Sequence, residues 1–194
     1  LYIISSAVNL NNTFLKNFKK NKNVISRPNF FRELSNEKDI IGITGTHGKT
    51  STTALVSHIF QFNNKNVSFI YGGVSSFGYL GGHCGEDNLP LILETDEAFN
   101  TFKNINIKDL IVTNIDNDHL DFYGSYENLI DAFSYVIKNV KGVKVLNYDD
   151  KNLCLINDKS TISYSSTKNS DYKIQTPSSF EYKNKTYQVS TKLI

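Results

Sequence analysis

Methionine and tryptophan are absent from the 194-residue sequence, and proline and cysteine are rare, with three and two residues. Cys84 and Cys154 form neither a metal-binding pair nor a disulfide framework, so we expect a reduced, cytoplasmic protein. No apolar run approaches the ~18 residues of a membrane span, and no signal peptide is visible. Because the chain starts at Leu1 and has no methionine, we expect it to be a piece of a longer protein.

An excess of one charge sign is also missing. The formal net charge is +2, and the lysines are dispersed, which argues against binding to nucleic acid or to an anionic membrane. Hydrophobic residues make up 39% of the chain, enough for a buried core, and the length allows one full domain with part of another. The sequence does not indicate an oligomeric state.

A glycine-rich segment, residues 43–51, carries the clearest chemistry. It follows an apolar run and precedes a helical pattern, so it predicts a strand, a tight turn and a helix start. Glycines allow the backbone to approach phosphate oxygens, and the helix N-terminus attracts the anion. Lys49 can reach the β- and γ-phosphates, and the Thr50 hydroxyl can ligate Mg²⁺. The segment therefore predicts a nucleoside triphosphate site formed by Gly45, Thr46, His47, Gly48, Lys49, Thr50 and Ser51.

This loop departs from the general phosphate-loop pattern at one position. The pattern has a glycine five residues before Gly48, where this sequence has Ile43. An ordinary strand–turn–helix connection is therefore the competing interpretation. His47 is either a solvated turn residue or a residue that faces the substrate, and the segment alone does not distinguish the two.

Apolar patterns along the rest of the chain predict an α/β protein with a parallel, doubly wound sheet. Strands are predicted at residues 1–4, 24–25, 39–44, 67–70, 89–93, 110–113 and 142–146, and helices at 12–19, 28–34 and 52–60. A further helix is predicted after Ser125, whose side chain is expected to cap it. Residues 71–88 are glycine-rich and are predicted to form a mobile loop. After Asn157, short alternating segments predict antiparallel β-hairpins.

Three of the predicted parallel strands are followed directly by polar residues that can carry chemistry. The phosphate loop follows Thr44, residues 94–97 follow Leu93, and residues 114–121 follow Thr113. Ligands bind beyond the carboxyl ends of the strands in such sheets. We therefore expect the three segments to meet at one edge of the sheet.

The second and third segments each allow a functional and an ordinary interpretation. Residues 94–97, Glu-Thr-Asp-Glu, are either a solvated acidic loop or part of a magnesium site, since Mg²⁺ prefers carboxylates together with phosphate oxygens. We favour Glu94 as the ligand, because only this acid abuts the strand end. His119 is either part of a polar turn or a metal ligand. Because imidazole matches Mg²⁺ poorly in hardness, the residues alone leave that choice open.

In this order, the three segments resemble the motifs of the Mur ligases, the ATP-dependent amide-forming enzymes of peptidoglycan precursor synthesis. Residues 45–50, with histidine in third place, are similar to the loop of the branch that joins L-alanine to UDP-N-acetylmuramate, and of a relative that recycles murein tripeptide. Residues 94–97 are similar to the Glu-Ala-Asp-Glu element of that branch, and residues 113–124 to its Thr-Asn-Ile, Asp-His-Leu-Asp and Tyr-Gly elements. Ser5-Ser6-Ala7 and Arg27 resemble the end of its N-terminal domain.

The resemblance implies roles for individual residues. Lys49 and His119 are expected to be catalytic, and the loop with Asn114 is expected to bind ATP. Thr50 and Glu94 are expected to hold one Mg²⁺, and Glu94 and His119 a second. The sequence departs from the family at Phe99, where the family usually has an aspartate.

The resemblance also implies a domain organisation and a reaction. Residues 1–38 would be the tail of a Rossmann-like N-terminal domain that binds the UDP substrate. Residues 39–194 would be an incomplete central ATP-binding domain, a parallel sheet with a phosphate loop and a last stretch rich in β-hairpins. The C-terminal amino-acid-binding domain would be absent.

The complete enzyme would use ATP and Mg²⁺ to join UDP-N-acetylmuramate and L-alanine through an acyl phosphate. This reaction would serve cell-wall synthesis, and through it cell shape and division. Three alternatives stay open: the tripeptide-recycling ligase, a nucleotide-binding remnant without catalysis, and, more weakly, a phosphate-loop kinase or GTPase.

Overall fold

The computed structural model describes residues 2–5, 8, 24–74, 80–156 and 158–189, without the side chains of Leu80 and Phe99. The helix predicted at 12–19 lies outside these residues, as do Ser6 and Ala7. In the part of the chain that is described, no helix combines the length and the apolar composition needed to cross a bilayer.

Strands and helices alternate through most of the chain. The strands are β1 (Tyr2–Ile4), β2 (Val24–Ser26), β3 (Ile40–Thr44), β4 (Ser68–Val74), β5 (Leu80–His83), β6 (Leu91–Glu94), β7 (Ile107–Val112), β8 (Lys144–Asn147), β9 (Thr161–Ser165), β10 (Tyr172–Thr176), β11 (Ser179–Tyr182) and β12 (Lys185–Gln188). The α-helices are α1 (Arg27–Glu37), α2 (Lys49–Phe62), α3 (Leu120–Tyr123) and α4 (Tyr126–Asn139), and 3-10 helices span Ala98–Asn104 and Leu153–Leu155.

Ten of the strands form one sheet in the order β12-β11-β10-β9-β8-β7-β3-β6-β4-β5, while β1 and β2 pair in a separate parallel sheet. Every pairing from β4 through β6, β3, β7, β8 and β9 to β10 is parallel. After β3, the chain adds β4, β5 and β6 on one side of that strand and then β7, β8 and β9 on the other side. Strand β3 is therefore the point at which the winding of the sheet changes direction. The prediction of a doubly wound α/β sheet is therefore confirmed.

Apolar side chains cover the two faces of this sheet in separate clusters. Strand β6 shows the division, because Ile92 packs on the α2 side whereas Leu91 and Leu93 pack on the α4 side. Strands buried on both faces consist of continuous apolar residues, as here. The α4 layer includes Leu129, Ala132, Phe133, Val136 and Ile137, which are all nearly inaccessible to solvent.

Helix α4 begins where the sequence predicts. The Ser125 hydroxyl accepts a hydrogen bond from the backbone N–H of Asn128 at 3.2 Å, which satisfies one of the free donors of the first turn. In α1, Pro28 lies in the first turn and Ser26 accepts from the N–H of Asn29 at 3.4 Å. Local capping chemistry therefore sets both starts.

The prediction of a mobile loop at 71–88 is wrong at residues 71–74 and 80–83, which are strands. Strand β4 continues to Val74, and β5 returns antiparallel to it, with Phe69 opposite His83 and Ile70 opposite Gly82. The glycines serve this pairing, because a Cβ on Gly81 would lie 2.2 Å from the carbonyl oxygen of Tyr71. Glycine inside a strand often marks such a close approach of two backbones.

The prediction of antiparallel hairpins after Asn157 is wrong for the pairings of β9 and confirmed for the β10–β11 and β11–β12 pairings. Strand β9 pairs in parallel with β8, and β10 pairs in parallel with β9. Only β10, β11 and β12 form an antiparallel meander. In β9 the two buried residues are Ser163 and Ser165, whereas Ile162 and Tyr164 are half-buried, so its alternating sequence does not mark a buried apolar face.

Candidate active site at the carboxyl edge of the sheet

Three neighbouring parallel strands bring the predicted segments together. Strand β3 lies between β6 and β7, and Ile43 is in register with Glu94 and Ile111. The phosphate loop, residues 94–97 and residues 113–121 therefore leave the sheet at the same edge. The expectation that the three segments meet is confirmed.

The turn after β3 requires glycine at two positions. Gly45 has φ +133° and Gly48 has φ +80°, which are values that L side chains rarely adopt. A Cβ on Gly45 would also lie 2.1 Å from Thr113 Oγ1 and 3.0 Å from the backbone nitrogen of Asn114. Gly45 thus lets the loop lie directly against the chain that follows β7. Gly48 immediately precedes helix α2.

Asn114 fastens the loop to that neighbouring segment. Its Oδ1 accepts from the N–H of His47 at 2.9 Å, and its Nδ2 donates to the His47 carbonyl at 3.0 Å. The Asn114 carbonyl accepts from the N–H of Thr46 at 3.1 Å, and the Thr113 hydroxyl donates to the His47 carbonyl at 2.6 Å. The Thr46 hydroxyl accepts from the N–H of Asp116 at 2.9 Å. These bonds fix the loop backbone at residues 46 and 47.

This fastening determines which loop groups can receive an anion. The N–H groups of Thr46 and His47 already donate to Asn114, whereas the first N–H groups of a helix have no partner within it. An anion at this edge would therefore meet the start of α2, at residues 48–51. The prediction that Asn114 contacts the nucleotide stays a prediction; in this structure its side chain shapes the loop.

The Lys49 ammonium lies at the centre of the site. Its Nζ donates to the carbonyl oxygens of Gly45 at 2.7 Å and Thr46 at 3.3 Å, and lies 3.0 Å from both carboxylate oxygens of Glu97. The Lys49 side chain is 15% exposed and that of Glu97 is 1% exposed. The pair is thus largely withdrawn from water and weakly screened by salt.

Thr50 and Glu94 form a second contact between the loop and the next strand. Thr50 Oγ1 lies 3.1 and 3.0 Å from the two carboxylate oxygens of Glu94. The N–H of Gly72 on β4 donates to Glu94 Oε2 at 2.7 Å. A hydroxyl and a carboxylate therefore stand side by side where three strands end, and both are oxygen ligands of the kind that Mg²⁺ prefers.

His119 lies against a different carboxylate from the one that the sequence favoured. Its Nε2 is 3.7 Å from Glu97 Oε1 and 4.0 Å from Asp118 Oδ2. One ligand atom each of Asp96, Glu97 and His119 lies within 4.8 Å of the others. His119 has φ +54°, a left-handed conformation immediately before α3, and this turn directs its ring toward Glu97.

Glu97 is the residue that the sequence reasoning missed. It stands three residues beyond the strand end, but a turn brings it back, and the Tyr123 hydroxyl donates to its carbonyl oxygen at 2.6 Å. Burial raises the pKa of Glu97, and the Lys49 ammonium opposes that rise. Burial likewise raises the pKa of the Tyr123 phenol. The only signal in the sequence was that a second glutamate closes the acidic segment.

Two exposed pairs border the site. Arg27 Nη2 at the start of α1 lies 3.7 Å from Asp96 Oδ2, which links the first helix to the acidic segment. His47 Nε2 lies 3.5 Å from Asp116 Oδ2. The hydrogen bond from the Asn117 N–H is the main cause of the lowered pKa of Asp116, and His47 adds to it. Ser51 is exposed on the first turn of α2.

The two prominent cavities lie elsewhere. One of about 540 Å³ lies at the amino ends of β3 and β7, bordered by Lys38, Asp39, Ile107 and Lys108. Another of about 460 Å³ lies between α4 and the 3-10 helix at 98–104. None of the predicted site residues lines either cavity. The candidate site at the carboxyl edge is thus identified by its chemistry and not by either of these cavities.

Comparison with known families gives one match. The profile of the Mur ligase middle domain matches residues 43–194, which begin in β3 and include the phosphate loop, the acidic segment and His119.

Individual relatives agree with this match. A UDP-N-acetylmuramate–L-alanine ligase of Borreliella burgdorferi is 37% identical over 185 residues, which cover 90% of this chain and 39% of that relative. The solved UDP-N-acetylmuramate–alanine ligase MurC of Thermotoga maritima has a TM-score of 0.75 and 27% identity over 92% of this chain and 42% of its own. The ligase MPL of Neisseria meningitides, named for L-alanyl-γ-D-glutamyl-meso-diaminopimelate, also has a TM-score of 0.75, at 19% identity, over 95% of this chain and 65% of its own. The chain thus spans well under half the length of the curated relatives that it matches.

Proposed function

Because the chain belongs to the Mur ligase family, we propose that it is the ATP-binding part of an enzyme that joins L-alanine to UDP-N-acetylmuramate. The relative with 37% identity carries that activity in its name. The observation that carries the proposal is the meeting of Lys49, the Thr50–Glu94 pair and His119 at one sheet edge. The product would be a precursor of peptidoglycan.

The loop suits the triphosphate of ATP. Gly45 and Gly48 have the positive φ values of a tight turn, and the start of α2 follows at once. A helix N-terminus favours a bound phosphate through its free N–H groups and its dipole. We propose that Gly45–Ser51 surround the β- and γ-phosphates, with Lys49 as the cation that neutralises them.

The oxygen atoms beside the loop suit Mg²⁺. Thr50 and Glu94 would hold one ion together with phosphate oxygens, since their side chains already lie 3.0 Å apart. Glu94 and His119 are proposed to attend a second ion, and Glu97 is the carboxylate nearest to His119. Mg²⁺, when bound, supplies positive charge to the triphosphate.

The proposed reaction has two steps. A carboxylate oxygen of the muramate attacks the γ-phosphorus, the bond to the β-phosphate oxygen breaks, and an acyl phosphate and ADP form. The amine of L-alanine then attacks the acyl carbon, loses a proton, and expels phosphate as the amide forms. Phosphoryl transfer depends mainly on positioning and charge neutralisation, and Lys49 contributes both.

We also propose the domain division expected from the sequence. Residues 1–38 would end the UDP-substrate domain, and residues 39–194 would belong to the central ATP-binding domain, with the amino-acid-binding domain outside this chain. The separate β1–β2 sheet supports a boundary before β3, and the family match begins at residue 43. Because the proposed reaction consumes ATP, we assign it to the cytoplasm.

The test is a ligation assay with the full-length protein that contains this chain. With ATP, Mg²⁺, UDP-N-acetylmuramate and L-alanine, we expect one phosphate released for each amide formed. Replacing L-alanine by the tripeptide should reduce amide formation. Preference for the tripeptide would favour the recycling ligase, and ATP binding without amide formation from either amine would favour a non-catalytic remnant.

A further inference from the structure

We propose that Glu97 is a positioning residue for Lys49, and that in the nucleotide-free protein its carboxylate takes the place that phosphate oxygens occupy during the reaction. Lys49 would exchange Glu97 for phosphate when the triphosphate enters. This inference rests on the proposed function and assigns a role to a residue outside the predicted metal and nucleotide ligands.

The hydrogen-bond donors of Lys49 are all engaged. A lysine ammonium has three N–H groups. In this structure it has two backbone carbonyl acceptors, of Gly45 and Thr46, and the Glu97 carboxylate, so its donors are fully used. A phosphate oxygen can therefore bind Lys49 only if one acceptor is released.

The three acceptors of Lys49 differ in how easily they can be released. The carbonyls belong to the loop itself, whose backbone is fastened to the segment after β7 by the bonds of Thr46 and His47. Glu97 is on a different segment, and its bond to Lys49 is a side-chain contact. The Glu97 carboxylate is therefore the acceptor that Lys49 can release without breaking the hydrogen bonds that hold the loop backbone.

After such an exchange, the Glu97 carboxylate would stay within the site. The side chain of Glu97 is 1% exposed, so the carboxylate lies away from bulk water, and the Tyr123 hydroxyl holds the main-chain carbonyl oxygen of the same residue. Apart from Lys49, the side chain that the described ion pairs place against this carboxylate is His119, whose Nε2 lies 3.7 Å from Oε1, and the carboxylate also accepts a hydrogen bond from its own backbone N–H. Nucleotide entry would thus transfer Glu97 from Lys49 to the His119 side of the site.

A carboxylate left beside incoming phosphates also opposes their binding, because like charges in a weakly solvated site repel. Removing the Glu97 charge should therefore strengthen nucleotide binding when no metal is present. It should also slow turnover, because Lys49 loses the group that holds it in position. A residue with only a packing role would not change affinity and turnover in opposite directions.

The experiment measures ADP affinity in EDTA and turnover in Mg²⁺ for the full-length protein. Glu97→Gln keeps the shape and removes the charge, and we expect about tenfold tighter ADP binding, the size of one charge-assisted contact. We also expect a lower kcat for ligation at saturating ATP. Unchanged or weaker ADP binding would overturn the proposal.

Asp118→Asn is the matched control, because it removes a carboxylate that also borders His119 but does not contact Lys49. Its ADP affinity should change less than twofold; equal tightening in both variants would indicate a general charge effect and overturn the proposal. If Glu97→Gln does not fold, Tyr123→Phe is the second variant, because it removes the hydrogen bond to the main chain of Glu97 and leaves the Glu97 charge in place. We expect this variant to bind ADP more tightly by a smaller factor. No change in its ADP affinity would count against the proposal.

The same measurements separate this inference from the proposed function. Wild-type protein that binds ADP but forms no amide contradicts the proposed ligase activity alone. A Glu97→Gln protein that forms amide but binds ADP no more tightly contradicts the positioning role alone.

Discussion

Lys49 joins the loop backbone to a carboxylate on the next strand end, and its side chain is 15% exposed. Lys49→Ala removes the cation proposed to neutralise the transferred phosphoryl group. We expect ATP-dependent phosphate release to fall by at least ~100-fold, by analogy with the loss of one oxyanion donor. Lys141→Ala, at an exposed lysine, is the control and should keep full activity. Equal phosphate release by the Lys49 variant and the wild type would refute the assignment.

Gly45 and Gly48 differ in what a side chain would meet, although both have positive φ. A Cβ on Gly45 would collide with Thr113 Oγ1 at 2.1 Å, whereas one on Gly48 has no heavy atom within 4 Å. Gly48→Ala should therefore cost about 1–2 kcal/mol of unfolding free energy, the cost of the left-handed conformation alone. Gly45→Ala should cost about 1–3 kcal/mol more because of overpacking.

Urea unfolding of the two glycine variants tests this difference. Gly82→Ala is a suitable control, since Gly82 has no positive φ and a Cβ there would have its nearest neighbour at 3.9 Å. Equal destabilisation by Gly45→Ala and Gly48→Ala would show that contact with Thr113 does not determine the loop conformation.

Individual site residues could be predicted to the extent that their position follows from the end of a strand. Glu94 is such a residue, at the end of β6, whereas Thr50 follows from the phosphate-loop motif at the start of α2, and the two are in contact. Glu97 could not be identified in this way, because the 3-10 turn after β6 and the hydroxyl of Tyr123, 26 residues away, bring it back to Lys49. Contacts of this kind depend on tertiary packing, which spacing along the sequence does not reveal.

At the scale of elements, apolar runs predicted the parallel strands well, because strands buried on both faces leave a continuous apolar signature. Segment 71–88 lacks that signature. Its glycines are typical of loops, but here they allow β4 and β5 to approach closely. Strand β9 has the alternation of an antiparallel strand but pairs in parallel on both sides. Its buried residues are the serines Ser163 and Ser165, so the alternation indicates neither a buried apolar face nor the strand direction.

The ends of β8 and β9 are held together by one acidic side chain, Asp149. It accepts hydrogen bonds from the Ser165 hydroxyl, from the N–H of Ser166 at 2.9 Å and from the Thr167 hydroxyl at 2.7 Å. Partial burial alone would raise the pKa of Asp149, but these hydrogen bonds outweigh it and lower that pKa. A carboxylate with a lowered pKa in the folded state stabilises the protein above its unfolded pKa of about 3.9.

This stabilisation should disappear as the pH falls from about 4 through the lower folded pKa, because protonation breaks the bonds that Asp149 accepts. Asp149→Asn should lower Tm at pH 7 by about 2–4 °C, with a smaller difference from wild type near pH 2. Thermal unfolding between pH 2 and 7 is the measurement, with Glu33→Gln on α1 as the control. A difference between wild type and the Asp149 variant that does not change with pH would contradict the assigned role.

For the whole molecule, sheet order and site chemistry have the same origin. Placing β3 between β6 and β7 makes the three strand-end segments neighbours although they are about 50 and 70 residues apart in the chain, as the Lys49–Glu97 and Thr46–Asp116 contacts show. The order of the parallel strands, with its reversal at β3, therefore creates the site. Local sequence patterns do not reveal the order of the strands in the sheet. The carboxyl edge could still be predicted as the site, because ligands of doubly wound sheets bind there.

The fold alone does not select the amine substrate. The alanine ligase of Thermotoga maritima and the tripeptide-type ligase of Neisseria meningitides have the same TM-score of 0.75 to this chain, and only the former exceeds 25% identity. The phosphate loop and Glu94 would serve the activation step, which does not involve the amine, so these residues are compatible with both substrates. In a competition assay with the full-length protein and equal concentrations of both amines, we expect at least ~10-fold more alanine product, the effect of ~1.4 kcal/mol.

Lys49→Ala should reduce both products by the same factor, because it acts before the amine enters. A variant that changed the ratio of the products would mean that Lys49 also contacts the amine, and a tripeptide product in excess would transfer the proposed function to the recycling reaction.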